Sequence, residues 1–322
     1  MSENKQNLSL KYFSSVTTRT VNWLWYPYIP YGKITVIQGD PGDGKTTLVL
    51  NIAALISNGS SMPESNSRTN STSVIYQSAE DGAEDTLKPR LMIAGADCSK
   101  IAFIDDSEAG LSISDYRIEA AIERINARLL VLDPLQAYLG DNSEMNRADG
   151  VRPLMKQLTA VAERTGCAIV IIGHMNKASG SKGIYRGLGS IDITAAARSV
   201  LLVGRLKSSP STRIMAQIKN SLAPEGKPFA FEINEDSAVR WVGEYDITVD
   251  ELLNGDDCQN DGSRLSEAVE CLVNSLKDGE VPCTKIYADL LDMGISKRSI
   301  DRAKKKLEVK STKHLDGWYW SL

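Results

Sequence analysis

Apolar residues fall into short runs in the first three quarters of this chain, and stretches with helical spacing separate those runs. Residues 33–38 read as a strand, and residues 46–57 follow with Leu48, Ile52, Ala53 and Ile56 on one helix face. Further strands are expected at residues 73–78, 100–104, 128–132 and 167–172, with helices at 118–127 and 151–165 feeding the last two. Residues 198–203, 213–218, 228–233 and 238–242 complete the strand set. Apolar strands alternating with helices imply an α/β fold whose mostly parallel sheet is covered on both faces. The last strands follow one another without long helices, so antiparallel additions are expected there. Residues 21–31 are aromatic and Pro-rich, residues 57–73 read as a Ser/Asn-rich loop, and residues 1–20 read as a flexible polar N-terminus.

The pattern changes after residue 253. Residues 254–262 are acidic, polar and Gly-bounded, which suits a linker. Residues 265–276 and 284–293 then predict two helices, and Gly294 supplies a left-handed stop. Ser296 is placed to cap a third helix, residues 297–307, whose apolar stripe is Ile300, Ala303 and Leu307. Arg298, Arg302, Lys305 and Lys306 fall on its other side. Helix, Gly turn and basic helix form a helix-turn-helix arrangement. Residues 308–313 and 318–321 flank Asp316-Gly317, a hairpin signal. Residues 263–322 therefore look like a winged helix that binds duplex DNA through the four basic residues.

Charge supports that division. The net charge is −4, yet residues 295–313 hold eight basic and two acidic side chains. That segment carries +6 and the remainder of the chain −10. Cys98, Cys167, Cys258, Cys271 and Cys283 are scattered without a CxxC pair, which argues against a zinc site or disulfide framework and suits a reducing cytoplasm. No apolar run is long enough to span a membrane.

Chemistry concentrates at strand ends. Gly39-Asp40-Pro41-Gly42-Asp43-Gly44-Lys45-Thr46 fits GxxxxGK[ST], between an expected strand and an expected helix. Glycines let backbone N–H groups wrap a phosphate, and the helix N-terminus faces the same anion. Lys45 would neutralise phosphate charge, Thr46 would place its hydroxyl on Mg²⁺, and Thr47 continues the cradle. Asp133 ends the apolar run Leu129-Leu130-Val131-Leu132 and is the expected second Mg²⁺ holder. Glu80, ahead of Asp81, follows the 73–78 strand and can orient and deprotonate water. His174 ends another strand, where α/β sheets place ligands, and can sense the terminal phosphate. Met175-Asn176-Lys177-Ala178-Ser179 resembles the guanine-reading NKxD motif, but Ser179 replaces its Asp, so ATP is expected rather than GTP. No lid or acceptor signature marks a metabolic kinase.

Together GDPGDGKTT, YQSAED, LLVLDPLQ, IIGHMNK and YRGLGSIDITAAARSVLLV, with WLWYPYIPYGK before them, resemble the RecA-like ATPases of the plasmid hexameric helicase (RepA) and DnaB-like group. The resemblance covers residues 21–245. It implies a homo-oligomeric ring, with hexamers expected, ATP at subunit interfaces and single-stranded DNA in the channel. It also implies that residues 135–150 and 176–190 face that channel, the second carrying Lys177, Lys182 and Arg186. The family's K-x-R or K-N-R finger corresponds to Lys219-Asn220-Ser221, which makes Lys219 the candidate and Arg198, Arg205 and Arg213 the alternates. The expected function is a DNA-dependent, helicase-like ATPase of mobile-element replication. The alternative is a nucleotide-switched DNA-binding or loading protein that does not translocate.

Overall fold

A computed structural model describes residues 10–65, 70–139, 148–174, 191–207, 209–254, 259–277, 279–295, 297–314 and 317–322. In chain order its elements are β1 (Trp23–Trp25), β2 (Ile29–Pro30), β3 (Ile34–Gly39), α1 (Lys45–Asn58) and β4 (Val74–Ser78). Then come α2 (Lys88–Ile93), β5 (Ile101–Ala102), α3 (Tyr116–Ile125), β6 (Leu129–Asp133), α4 (Ala148–Thr165) and β7 (Ala168–His174). Next are α5 (Ile191–Ala196), β8 (Ser199–Arg205), β9 (Thr212–Asn220), β10 (Phe229–Ile233), β11 (Val239–Glu244) and α6 (Val249–Asn254). The chain ends with α7 (Gln259–Leu276), β12 (Val281–Pro282), α8 (Cys283–Asp292), α9 (Lys297–Lys306), β13 (Lys310–His314) and β14 (Gly317–Ser321).

Two compact units divide these residues. The first comprises Met1–Gly39, Lys45–Leu201 and Gln217–Gly226. Its strands run in the order β8-β3-β7-β6-β4-β5, and β3, β7, β6, β4 and β5 are mutually parallel. Every residue of β3 and β6 is buried, as a parallel strand covered on both faces requires. Helix α3 shows how local chemistry fixes an element. Asp115 caps it by accepting from the Arg117 N–H, Ile118 and Ile122 bury one face, and Asn126 ends it at φ +50°. The aromatic segment before β3 folds as the antiparallel β1/β2 pair, with Trp25 and Tyr28 buried against each other. The side chains of Gln217 and Asn220 both donate to the Pro27 carbonyl, at 3.1 and 3.0 Å, and tie this pair to the end of β9.

The second unit comprises Asp40–Gly44, Leu202–Ala216 and Lys227–Leu322. Its strand order is β11-β10-β9-β8, and β9, β10 and β11 pair antiparallel, as their close succession in sequence suggests. Toward the C-terminus, α7, α8 and α9 enclose their own core of Ala268, Leu272, Leu276, Ile286, Leu290, Ile295, Ile300, Ala303, Val309 and Trp320. A small sheet in the order β12-β14-β13 accompanies them. Gly294, at φ +80°, stops the helix before it, and the Ile295 N–H closes back on the Leu290 carbonyl at 3.0 Å. Helix α7 begins at Gln259, inside the segment expected as linker, while residues 255–258 lie outside the described residues. Ser296 and Asp316 also lie outside them.

Candidate functional site

Register aligns the carboxyl ends of four adjacent parallel strands. Gly39 of β3 lies opposite His174 of β7, and Ser78 of β4 lies opposite Asp133 of β6. The Ala79 N–H donates to the Asp133 carbonyl at 3.0 Å, which holds the chain leading to Glu80 against the end of β6. Open α/β sheets bind ligands beyond such strand ends.

The loop Asp40–Gly44 joins β3 to α1. It needs two left-handed residues, Gly42 at φ +82° and Gly44 at φ +89°. Asp43 closes it, its N–H donating to the Asp40 carbonyl at 3.2 Å and its carboxylate accepting from the Asp40 N–H at 3.0 Å. A side chain at Gly44 would be doubly opposed, because its Cβ would lie 2.5 Å from Ile233 Cδ1 in a backbone conformation that penalises it. Gly44→Ala is therefore expected to cost roughly 1–2 kcal/mol from the left-handed backbone alone. A thermal melt would show the lowered midpoint, and a fluorescent ATP titration would show weaker binding.

Lys45 opens α1 and is only 4 % exposed. Its ammonium donates to the Gly39 carbonyl at 2.9 Å, so the cation is turned back to the end of β3. The next residue, Thr46, donates its hydroxyl to Asp133 Oδ2 at 2.8 Å. The same oxygen accepts from the Tyr76 hydroxyl at 2.9 Å. Burial pushes the Asp133 carboxyl up from its ordinary pKa, the two hydroxyl donors oppose that shift, and Asp81 and Glu80 add to it. The Tyr76 hydroxyl is pushed well up by its own burial first and by the Asp133 carboxylate next. Tyr76 is a site residue that the motifs do not mark. Its signal is a tyrosine inside an apolar buried strand, whose hydroxyl must find a partner.

The two acids after β4 differ. Asp81 pairs with Arg90 at 3.2 Å, whereas Glu80 is exposed and makes no hydrogen bond or ion pair among the described residues. Thr47 is half-buried beside Thr46 in α1. His174 is placed by its backbone register, and its side chain lies outside the described residues.

The finger candidates separate as well. The Lys219 ammonium donates to the Thr194 and Ala195 carbonyls, at 2.8 and 3.3 Å, which end α5. Asn220 accepts from the Leu222 and Ala223 N–H groups as well as reaching Pro27. Arg205 and Arg213 instead lie at the Asp40–Gly44 loop of their own chain. Arg205 Nη2 donates to the Gly42 carbonyl at 2.7 Å. Arg213 is 8 % exposed, donates to the Pro210 carbonyl through Nη1, and leaves its buried Nε without a partner among the described residues. Burial lowers the Arg213 pKa, Arg205 lowers it further, and Asp43 opposes both. Lys177, Lys182 and Arg186 lie outside the described residues.

A triphosphate with Mg²⁺ fits these residues. Two positive-φ glycines leave the loop without side-chain bulk. A buried ammonium is held at the Gly39 carbonyl, and in α1 and β6 a hydroxyl and a carboxylate are already 2.8 Å apart. Mg²⁺ bound in this way needs one or two protein oxygens, phosphate oxygens and water rather than a cage of carboxylates. Arg213 Nε and the Gln38 side-chain amide, the latter fully buried just before Gly39, are polar groups a ligand or ordered water can satisfy.

Comparison with known proteins agrees with this architecture. The DNA repair protein RadA of Bacillus subtilis (strain 168) is 25 % identical over 243 residues, covering 74 % of this chain and 46 % of that protein. This chain thus spans about half the length of that relative. Among solved structures, an isolated ATPase domain matches with a TM-score of 0.51 at 14 % identity, over 66 % of this chain and 85 % of that one. A DnaB-like replicative helicase matches with a TM-score of 0.52 at 14 % identity, over 66 % of this chain and 57 % of that one. These two likenesses are of fold: a RecA-like P-loop core built on a mostly parallel sheet. The model of the AAA domain matches residues 6–180, more than half of the chain, and with the loop, helix and strand-end carboxylate in place this protein belongs to the AAA domain family.

Proposed function

We propose that this protein hydrolyses ATP with Mg²⁺ and couples hydrolysis to DNA as a homo-oligomeric, helicase-like ATPase. The observation that carries the reading is the hydrogen bond from Thr46 to Asp133 beside the buried Lys45. It joins the first turn of α1 to the end of β6, which supports reading the two oxygens as one metal-holding pair. Main-chain N–H groups between Gly39 and Thr46, with Thr47 after them, hold the phosphates. Lys45 exchanges the Gly39 carbonyl for phosphate oxygen, and Thr46 and Asp133 hold the ion. Bound Mg²⁺ supplies charge neutralisation for the transferring phosphoryl group. Glu80, a carboxylate without an ion pair among the described residues, orients the attacking water and takes its proton. His174, in register with Gly39, reports the state of the terminal phosphate.

DNA enters through the names of the relatives, a DNA repair protein and a replicative helicase, and through α9. In α9, Lys305 and Lys306 are exposed, and the side chains of Arg298 and Arg302 lie outside the described residues. We read residues 263–322 as a winged-helix DNA-binding module, residues 21–253 as the ATPase domain and the ring as a hexamer. ATP turnover measured with and without single-stranded DNA, alongside light scattering and a forked-duplex unwinding assay, tests this. Stimulated turnover by an oligomer that opens the fork is expected. Turnover unchanged by DNA would remove the coupling.

A second reading, a non-translocating DNA-binding switch, is favoured by one observation. Lys219 and Asn220 are both engaged by their own chain, and Ser221 stands where the resemblance expects arginine. Stimulated turnover by a monomer or dimer without unwinding would select it.

A further inference from the structure

Helix α4 carries two kinds of charge. Near its C-terminal end Glu163 accepts from Lys33 at 2.7 Å, and Arg164 pairs with Glu119 at 2.7 Å. Earlier in the helix, Arg152, Lys156 and Thr159 follow at i, i+4 and i+7, on one face. They line a cavity of about 320 Å³ together with the end of α5 and Arg198, the residue preceding β8. Among the described residues the cavity lining contains no carboxylate. The side chains of Arg152, Lys156 and Arg198 are exposed and form no hydrogen bond or ion pair among the described residues. Lys219, beside them, is already spent on the α5 carbonyls, and its pKa is lowered by burial first and by Arg198 next.

Three like charges lining one cavity without a counter-ion among the described residues repel one another, and composition does not force this, because acids outnumber bases 41 to 37 in the chain. An anion would relieve the repulsion. We infer that Arg152, Lys156 and Arg198 form a cradle on α4 and at the start of β8 for the phosphodiester backbone of a single nucleic-acid strand. The site rests on the DNA reading above and adds a contact surface that does not depend on residues 176–190 or on α9. Arg152 and Lys156 are spaced along the helix, four residues rising about 6 Å. Two cations at that spacing suit successive phosphates better than one isolated anion. No aromatic side chain lines the cavity among the described residues, so base stacking is not offered and binding is indifferent to sequence.

The test uses the full chain and a fluorescein-labelled oligothymidylate, with anisotropy titrations at several salt concentrations. The variant Arg152→Gln/Lys156→Gln/Arg198→Gln is expected to bind roughly tenfold more weakly at low salt. Its slope of log affinity against log salt should be shallower by about 2, at about 0.7 for each lost single-strand phosphate contact. The melting midpoint and far-ultraviolet circular dichroism should not change, which verifies that the ATPase core is folded. A second variant, Arg152→Lys/Arg198→Lys, keeps the charges and should retain strand affinity. Superimposable titrations of wild type and the Gln variant would overturn the cradle while leaving the DNA reading standing. Failure of the wild type to bind the strand at low salt would overturn both. Loss of ATP turnover with strand affinity intact would assign the charges to nucleotide on a second copy, and competition by millimolar inorganic phosphate alone would assign them to a free anion. Either result overturns the inference.

Discussion

Replacing Lys45 by alanine is expected to abolish ATP turnover, with a loss of roughly 10²–10³ or more, the scale for removing one preorganised charge-stabilising group. Lys45 is 4 % exposed and its ammonium is held by the Gly39 carbonyl. Arg205 and Arg213 are each bonded elsewhere, to the Gly42 and Pro210 carbonyls. The variant also leaves the Gly39 carbonyl without its donor, so a modest fall in melting temperature should accompany the kinetic loss. Steady-state phosphate release with saturating ATP checks the first effect and a melt the second. Turnover that survives Lys45→Ala unchanged would show that the loop is not where ATP is hydrolysed.

Asp133→Asn should separate activity from stability. Turnover is expected to drop by roughly 10²–10³, since an amide is a poor substitute for the carboxylate that holds Mg²⁺. Stability should move the other way. Burial raises the Asp133 pKa, so the ionised form is the disfavoured one in the folded chain. For a raised pKa, the stabilising contribution is complete below the unfolded value and is lost as pH rises through the folded one. At neutral pH the wild type therefore carries a penalty that asparagine lacks, while Thr46 and Tyr76 can still donate to the amide oxygen. Melts of both proteins should converge at acid pH, just below the ordinary aspartate range, and the variant should melt higher at pH 7. A variant that melts lower at pH 7 would show that the carboxylate holds the site together even without a ligand.

Glu80 and Lys219 show what spacing can and cannot reveal. Glu80 is legible as an acid after a strand, but that Asp81 takes Arg90 while Glu80 makes no ion pair among the described residues is not. Lys219 is legible as a motif remnant, yet its ammonium ends on α5, 25 residues away in sequence. Tyr76 is hidden because nothing in Val74–Ser78 says which strand will lie alongside. The aromatic segment before β3 is visible by composition alone. Its role as an antiparallel pair fastened to β9 depends on Gln217 and Asn220 reaching Pro27.

What the residues dictate unaided is local: which stretches are strands and helices, the glycine-permitted loop, the helix stop at Gly294 and the basic character of α9. Each depends on interactions within a few residues, where backbone sterics and hydrophobic period decide. Folding in three dimensions had to settle that Thr46 meets Asp133 across 87 positions, that Arg205 reaches its own loop, and that Arg152, Lys156 and Arg198 share one cavity. Those contacts follow from strand order and register, which depend on the packing of the whole sheet rather than on any one segment.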